Sequence, residues 1–283
     1  MTLEYNGKEC MKKADPKEIF NYWVQERLDV LARKNNRAKK PWSKDPIFRT
    51  VYFCNVEREK DKTTKWVREW TEDITSPTSI LVWYTLARTL NNIDTLESLG
   101  EPMDDIDLTY ISKRLKDRRE QGKQIFGGAY LITTCGVKMD KIDYVIDLAA
   151  SVKNCCSVCD TLEEQWVELT RVKGLGNFLA AQIVADLKNT QGMHWNQAED
   201  FYTFVASGPG SIKGLNYFFS RKPELLITNS RFKKELEIVR KHLYTEELIP
   251  ELCNQDLQNC LCEYSKYMRV LNGGRTKRNY QGL

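Results

Sequence analysis

The sequence predicts an all-α protein of roughly ten helices. Three observations predict it. Apolar residues recur about every three to four positions in one segment after another, as on the buried stripe of a helix. No stretch alternates apolar and polar residues with the period of two that a half-buried strand needs. Proline, glycine, aspartate and serine stand at the ends of the periodic segments, where helices start and stop. There is no internal repeat and no obvious linker, so residues 1–283 read as one domain.

Residues 17–33 form the first helix. Ile19, Phe20, Trp23, Leu28 and Leu31 lie largely on one side, and Asp15-Pro16 supplies a cap followed by a first-turn proline. Residues 33–40 are strongly basic and end at Pro41-Trp42-Ser43-Lys44-Asp45-Pro46, which cannot continue a helix. This run fits either a loop that tracks a phosphate backbone and stacks a base on Trp42, or a solvated connection. Residues 46–70 read as one long helix, with Val56, Thr63, Trp66, Val67 and Trp70 as its buried stripe. On such a helix Asn55, Arg58 and Lys62 sit within about 60° of one another at about 100° per residue, with Glu57 and Asp61 in the next sector. These groups either pair among themselves or wall a site for an anion.

Residues 79–91, SILVWYTLARTLN, are nearly all apolar and therefore central, with Arg88 the exception. Asp94 and Glu97 bound a short successor. Residues 108–122 are helical and basic, with Lys113, Arg114, Lys116, Arg118 and Arg119. Gly127-Gly128 ahead of Tyr130 marks a close helix contact or a ligand approach. Residues 140–152 are helical, and Cys155, Cys156 and Cys159 cluster in the connection that follows. Residues 196–205 read as a further helix. Gly208 and Gly210 around Pro209 then break it and open a nest of backbone amides that could hold a DNA phosphate. Residues 256–271 close the fold on a stripe of Leu257, Leu261, Tyr264, Met268 and Leu271, with Glu263 and Lys266 off it. A basic tail occupies 273–283.

The stretch around which the chain is organised is VKGLGNFLAAQI, residues 172–183. Leu162, Trp166 and Leu169 place a helix before it, Gly174-Leu175-Gly176 makes a tight turn, and Asn177 opens the next helix. This is the layout of a helix-hairpin-helix element over about 162–188, which grips the DNA backbone without reading bases. Free N–H groups at the second helix start, with the positive end of its dipole, suit a phosphate. Lys173, Gly174, Leu175, Gly176 and Asn177 are the candidates for that contact. The same spacing also fits an ordinary glycine turn between packed helices.

Bulk properties exclude several classes. The net charge is only +4, so nucleic-acid binding must come from local basic patches. No apolar run reaches the roughly 20 residues that span a bilayer, and the N-terminus lacks the apolar core of a signal peptide. Nine cysteines, an odd number without a secretion signal, imply reduced thiols in a cytoplasm. Two histidines make a histidine-rich metal site improbable, and Cys253, Cys260 and Cys262 lack the spacing and the fourth ligand of an iron–sulfur loop. There is neither a P-loop nor a dinucleotide fingerprint.

Several stretches in order resemble a known family: Pro41-Trp42-Ser43-Lys44-Asp45, FRTVYFCNVEREKD (48–61), FGGAYLITTCG (126–136), KGLGNFLAAQIVADL (173–187), FVASGPGSIKGL (204–215) and LCEYSKYMR (261–269). They resemble the phage amino acid:DNA transferases, the α-glutamyl/putrescinyl thymine pyrophosphorylases. The helical domain associated with 5-hydroxymethyluracil DNA kinases is a close relative. The resemblance runs from about residue 19 to residue 280. It implies a fold derived from helix-hairpin-helix DNA glycosylases, a bacteriophage origin and action in the host cytoplasm.

The activity implied is thymidine hypermodification. An amine, from an amino acid or a polyamine, replaces the pyrophosphate of 5-pyrophosphoryloxymethyluracil in DNA and forms a C–N bond at the exocyclic methylene. The base is flipped into a pocket. Arg58, Lys62 and Arg88 are candidates for the leaving pyrophosphate. Asp200, Glu199, Asp61 and Glu263 are candidates for deprotonating the amine. Asn55 would read the uracil edge or orient a phosphate, and Lys266 would hold the amino-acid carboxylate or the pyrophosphate. By family logic the glycosylase aspartate falls on Asp200, a few residues late, because Asp186 comes too early. No resident cofactor is required, and assistance by a divalent cation stays open. Two other functions fit the same features. A DNA glycosylase would leave abasic sites, but the lyase lysine is replaced by Phe178 and Leu179. A non-catalytic helical module would bind DNA without turnover. The absence of a fused kinase in this sequence favours a free-standing enzyme.

Overall fold

Aspartate and proline start the helices of this chain. Asp15 accepts from Lys17 N at 2.8 Å and Asp45 from Ile47 N at 2.7 Å, with Pro16 and Pro46 at the first helical position. The computed structural model describes residues 4–128, 130, 132–155, 159–245 and 252–275, so Cys156 and the basic tail from 276 lie outside the described residues. All regular elements among them are helical. They gather into two compact units, one of Met1–Asp61 and Val205–Leu283, the other of Lys62–Phe204.

The first unit begins with α1 (Lys8–Lys13), α2 (Pro16–Asn35) and α3 (Pro46–Thr50). The second holds α4 (Lys62–Trp70), α5 (Pro77–Leu90), α6 (Ile93–Glu97), α7 (Leu108–Glu120), α8 (Lys141–Val152), α9 (Leu162–Arg171) and α10 (Asn177–Leu187). The chain then returns to the first unit for α11 (Pro209–Phe218), α12 (Asn229–Thr245) and α13 (Asn254–Leu271).

The core of the first unit is aromatic. Phe20 of α2 meets Phe218 of α11 and Tyr264 of α13 edge-on, at 5.6 and 5.1 Å between ring centroids. Tyr264 donates to Pro16 O at 2.7 Å, and the buried Asp45 accepts from Tyr267 Oη at 2.8 Å and Tyr22 Oη at 3.2 Å. Helices α11 and α13 cross very closely. A Cβ on Gly214 would stand 1.9 Å from Leu261 O, and one on Gly210 would stand 2.5 Å from Cys262 Sγ.

The second unit is built on α5, which Ser76 caps and in which every residue from Ser79 to Leu90 is buried. It packs on α8 and α10. Arg88, the polar exception, pairs with Asp186 of α10 through Nε and Nη2 and reaches Thr64 Oγ1 at 3.3 Å. Gly127 closes against the end of α5: its N–H donates to Leu90 O at 2.7 Å, and a Cβ there would stand 1.9 Å from Asn91 O. Gly127 therefore serves a close helix contact.

Three expectations are corrected. Residues 46–70 are not one helix. Val51 and Phe53 are buried and Tyr52 is 51% exposed, a period of two that makes the segment extended before a 3-10 turn at Arg58–Lys60. The strips predicted for Asn55, Arg58 and Lys62 on one helix therefore do not exist. Residues 196–205 are not a helix either. A short 3-10 segment, His194–Gln197, is followed by turns. Gly208 and Gly210 start a helix instead of opening a nest. Ser211 Oγ accepts the Gly208 N–H at 3.0 Å, and Gly210 lies inside α11 against Cys262. α12, with Phe232, Leu236, Val239 and Leu243 at helical spacing in the core, was not foreseen.

Candidate functional site

The extended segment after α3 presents backbone N–H groups that no helical carbonyl takes, and carboxylates take them instead. Cys54 N donates to Glu263 Oε2 at 3.0 Å, Asn55 N to Asp61 Oδ1 at 2.8 Å and Arg58 N to Asp256 Oδ1 at 3.0 Å. Glu263 and Lys266 stand one turn apart on α13, on the edge of its apolar stripe. Lys266 Nζ donates to both Glu263 oxygens, at 2.7 and 2.9 Å, and to Tyr52 O at 3.2 Å. Thus Asn55, Asp61, Glu263 and Lys266, some 200 positions apart in the chain, meet in one polar cluster of the first unit.

Arg27 of α2 completes the cluster and was missed in the sequence. Its Nε donates to Cys54 O at 2.9 Å and Phe53 O at 3.3 Å, and its Nη2 donates to Asn55 Oδ1. Nothing in its spacing distinguishes it from Arg33. Asn55 is held on all sides, since its Nδ2 also donates to Lys60 O at 2.7 Å. Burial pushes the Asp61 carboxyl up, opposed by the Asn55 N–H and by Arg58 and Arg27. Burial likewise pushes up the Cys54 thiol and sets that of Cys262 at about 11, which keeps both protonated. The cluster can therefore offer a carboxylate that takes a proton readily and a lysine whose charge is held in place. Arg58 itself is buried, with Nη1 3.6 Å from Glu59 Oε1.

The second unit holds the glycine hairpin, and the helices flank it as the sequence predicts. Gly174 has φ +103°, and a Cβ there would stand 2.2 Å from Tyr144 Oη, so the turn needs glycine and lies tight on α8. Leu175 is buried beneath it. Gly176 caps α10 with no side-chain bond to the first turn, and Lys173, Gly176, Asn177 and Phe178 are exposed. The first-turn amides of α10 thus face outward without a capping side chain.

The other expected residues lie elsewhere. Asp200 accepts from Leu162 N at 2.8 Å and Glu163 N at 2.9 Å, so its carboxylate caps α9. Glu199 is exposed beside it, and Lys62 is exposed at the start of α4. Arg88 is committed to Asp186 in the core. Gly208 and Gly210 lie in the first turn of α11. Trp42 is half-buried: its Nε1 donates to Ala38 O at 2.8 Å, and Lys40 lies over its ring at 5.0 Å. Among the described residues no group of three or more His, Cys, Asp or Glu side chains is placed to hold a metal ion, and no helix is long and apolar enough to cross a membrane.

An all-helical chain with these elements matches, over residues 16–275, the family described as 5-hmdU DNA kinase, helical domain, and it belongs to that family. The relation to the helical domain of 5-hydroxymethyluracil DNA kinases, read from the ordered motifs, is thereby shown. A protein of Bacillus phage SP10, named 5-hmdU DNA kinase, is 25% identical to it over 95% of this chain and 48% of its own length. The chain spans about half the length of that curated relative. No solved structure matches it.

Proposed function

We propose that this chain works on a modified thymine in DNA and replaces the pyrophosphate of 5-pyrophosphoryloxymethyluracil with an amine. The observation that carries this reading is the meeting of Asn55, Asp61, Glu263 and Lys266 in one cluster, in a chain of the 5-hmdU DNA kinase helical-domain family. The amine nitrogen attacks the exocyclic methylene carbon while the C–O bond to pyrophosphate breaks. Asp61, whose affinity for a proton is raised by burial, takes a proton from the amine nitrogen as the C–N bond forms. Lys266, held by Glu263, faces the charge that develops on the leaving oxygen. Arg27 and Asn55 position the segment that carries Asp61. In the same reading the α9–turn–α10 element is a helix-hairpin-helix grip, the fold is that of the related DNA glycosylases, and the base is flipped. The donor is an amino acid or polyamine, and no resident cofactor takes part.

A second reading has one observation in its favour. The chain corresponds to about half of a 5-hmdU DNA kinase, so it could serve as the DNA-holding helical module of a phosphorylation step. Mass spectrometry of nucleosides separates the two. The protein is incubated with DNA carrying 5-pyrophosphoryloxymethyluracil and a pool of amino acids and polyamines. In parallel it is incubated with DNA carrying 5-hydroxymethyluracil and ATP. An amine adduct in the first arm establishes the transfer and names the donor. A phosphorylated nucleoside in the second arm alone overturns the transfer in favour of a kinase step. DNA binding with no new nucleoside in either arm supports the module, and free base with abasic sites would indicate a glycosylase.

A further inference from the structure

Helix α7 carries more positive charge than its packing uses, and that charge is divided between two faces. Ile111 and Leu115 point into the core. On one flank Lys116 and Arg119 face α8, where each meets a carboxylate at 2.5 Å, Asp143 and Asp140 respectively. On the other flank are Arg114 and Arg118, followed by Lys123 just past the helix end, while Lys113 lies on the outermost side, away from Ile111 and Leu115. Among the described residues none of these four has a carboxylate at ion-pair distance. Arg114 and Arg118 are instead held by backbone carbonyls. Arg114 donates to Ser98 O at 2.6 and 3.0 Å, and Arg118 to Gln124 O at 3.1 Å. These bonds fix two guanidinium groups side by side without neutralising them. With Lys123 they line a cavity of about 180 Å³, in which Asp117 is the one acid. Tyr110, half exposed, extends the same face, with the Arg114 guanidinium 5.9 Å from its ring centre.

We infer that this outer face of α7 is a second DNA-backbone surface of the Lys62–Phe204 unit, with the cavity between Arg114, Arg118 and Lys123 taking a phosphodiester. Charge complementarity selects the occupant. Three cations against one acid, gathered at the end of a helix with an aromatic beside them, match a line of phosphates. Preorientation of two forks by Ser98 O and Gln124 O favours phosphate geometry, which guanidinium groups meet in a bidentate way. The inference rests on the reading that the chain works on DNA.

Two double variants test it, each removing two positive charges. The outer pair is Arg118→Gln with Lys123→Gln, and the inner pair is Lys116→Gln with Arg119→Gln. Affinity for a short duplex carrying 5-pyrophosphoryloxymethyluracil is measured by anisotropy across a range of NaCl concentrations. Each phosphate contact contributes about 0.9 to the slope of log K against log salt, so the outer pair lowers the slope by roughly two while the inner pair leaves it unchanged. Equal slopes for the two variants would show that only net charge matters and would overturn the surface, as would an outer pair that binds like the unaltered protein. Thermal unfolding of both variants confirms that each is folded. The pool of amino acids and polyamines is then added to the same samples and their nucleosides are analysed, so the two readings fail separately. An amine adduct with equal slopes rejects the surface alone, and unequal slopes without any adduct reject the chemistry alone.

Discussion

Arg88 and Asp61 show how burial decides what a charged residue does. Arg88 looks like an anion ligand in an apolar segment, yet both its Nε and Nη2 are committed to a carboxylate that is itself 1% exposed. Arg88→Met leaves Asp186 buried without its partner and is expected to cost about 3–5 kcal/mol in urea unfolding. Adding Asp186→Leu recovers much of that loss. A loss below about 1 kcal/mol for the single variant would mean that the pair is solvated. Asp61 holds its proton to higher pH than a free aspartate, because burial penalises the charged form. The folded state then binds the proton more tightly than the unfolded one. Stability therefore falls as pH rises from the ordinary value of 3.8 through the raised one. Asp61→Asn keeps an acceptor for the Asn55 N–H and flattens that fall, which urea unfolding at pH values from about 4 to 7 reads directly. If the fall is as steep as before, the half-buried Glu26 and the buried Asp45, whose carboxyls desolvation also raises, account for it.

At the scale of elements, the hairpin and the α11–α13 crossing use glycine for opposite purposes. Gly174→Ala forces a positive φ on alanine and drives its Cβ into Tyr144, at an expected cost of about 1–3 kcal/mol. Gly176 has φ −64° and open space within 4 Å, so Gly176→Ala leaves stability within about 1 kcal/mol. The second variant therefore isolates the outward amides of α10. A folded Gly176→Ala protein with weakened DNA affinity supports the grip, and one with unaltered affinity removes it. Gly214 has a structural purpose, since its missing Cβ is what lets α13 approach.

For the whole molecule, the chain leaves the first unit at Asp61 and returns at Val205. The Lys62–Phe204 unit is continuous and has its own core around α5, so expressed alone it should unfold in one cooperative urea transition. The first unit needs both of its segments, because Phe20 packs on Phe218 and Tyr264. Residues 1–61 alone are therefore expected to show little helical circular dichroism. A fragment 62–204 without a cooperative transition would show that this unit depends on the rest of the chain.

The sequence by itself determined the all-α class, most helices and the glycine turn between α9 and α10, because helical periodicity, caps and glycine turns are local signals. It also placed Asn55, Asp61, Glu263 and Lys266 among the residues of interest. It mistook how the first two are held, because the extended run Val51–Tyr52–Phe53 is too short to show its period of two within a charged, helix-like stretch. Only the tertiary structure decided which charges are spent. Asp200 caps α9, Arg88 neutralises Asp186, and Arg27 joins the cluster through partners 26 to 28 positions away. Such pairings depend on which surfaces face each other after packing. Solvation and distance, which set the energy of a charge, are properties of the folded interior and not of spacing along the chain.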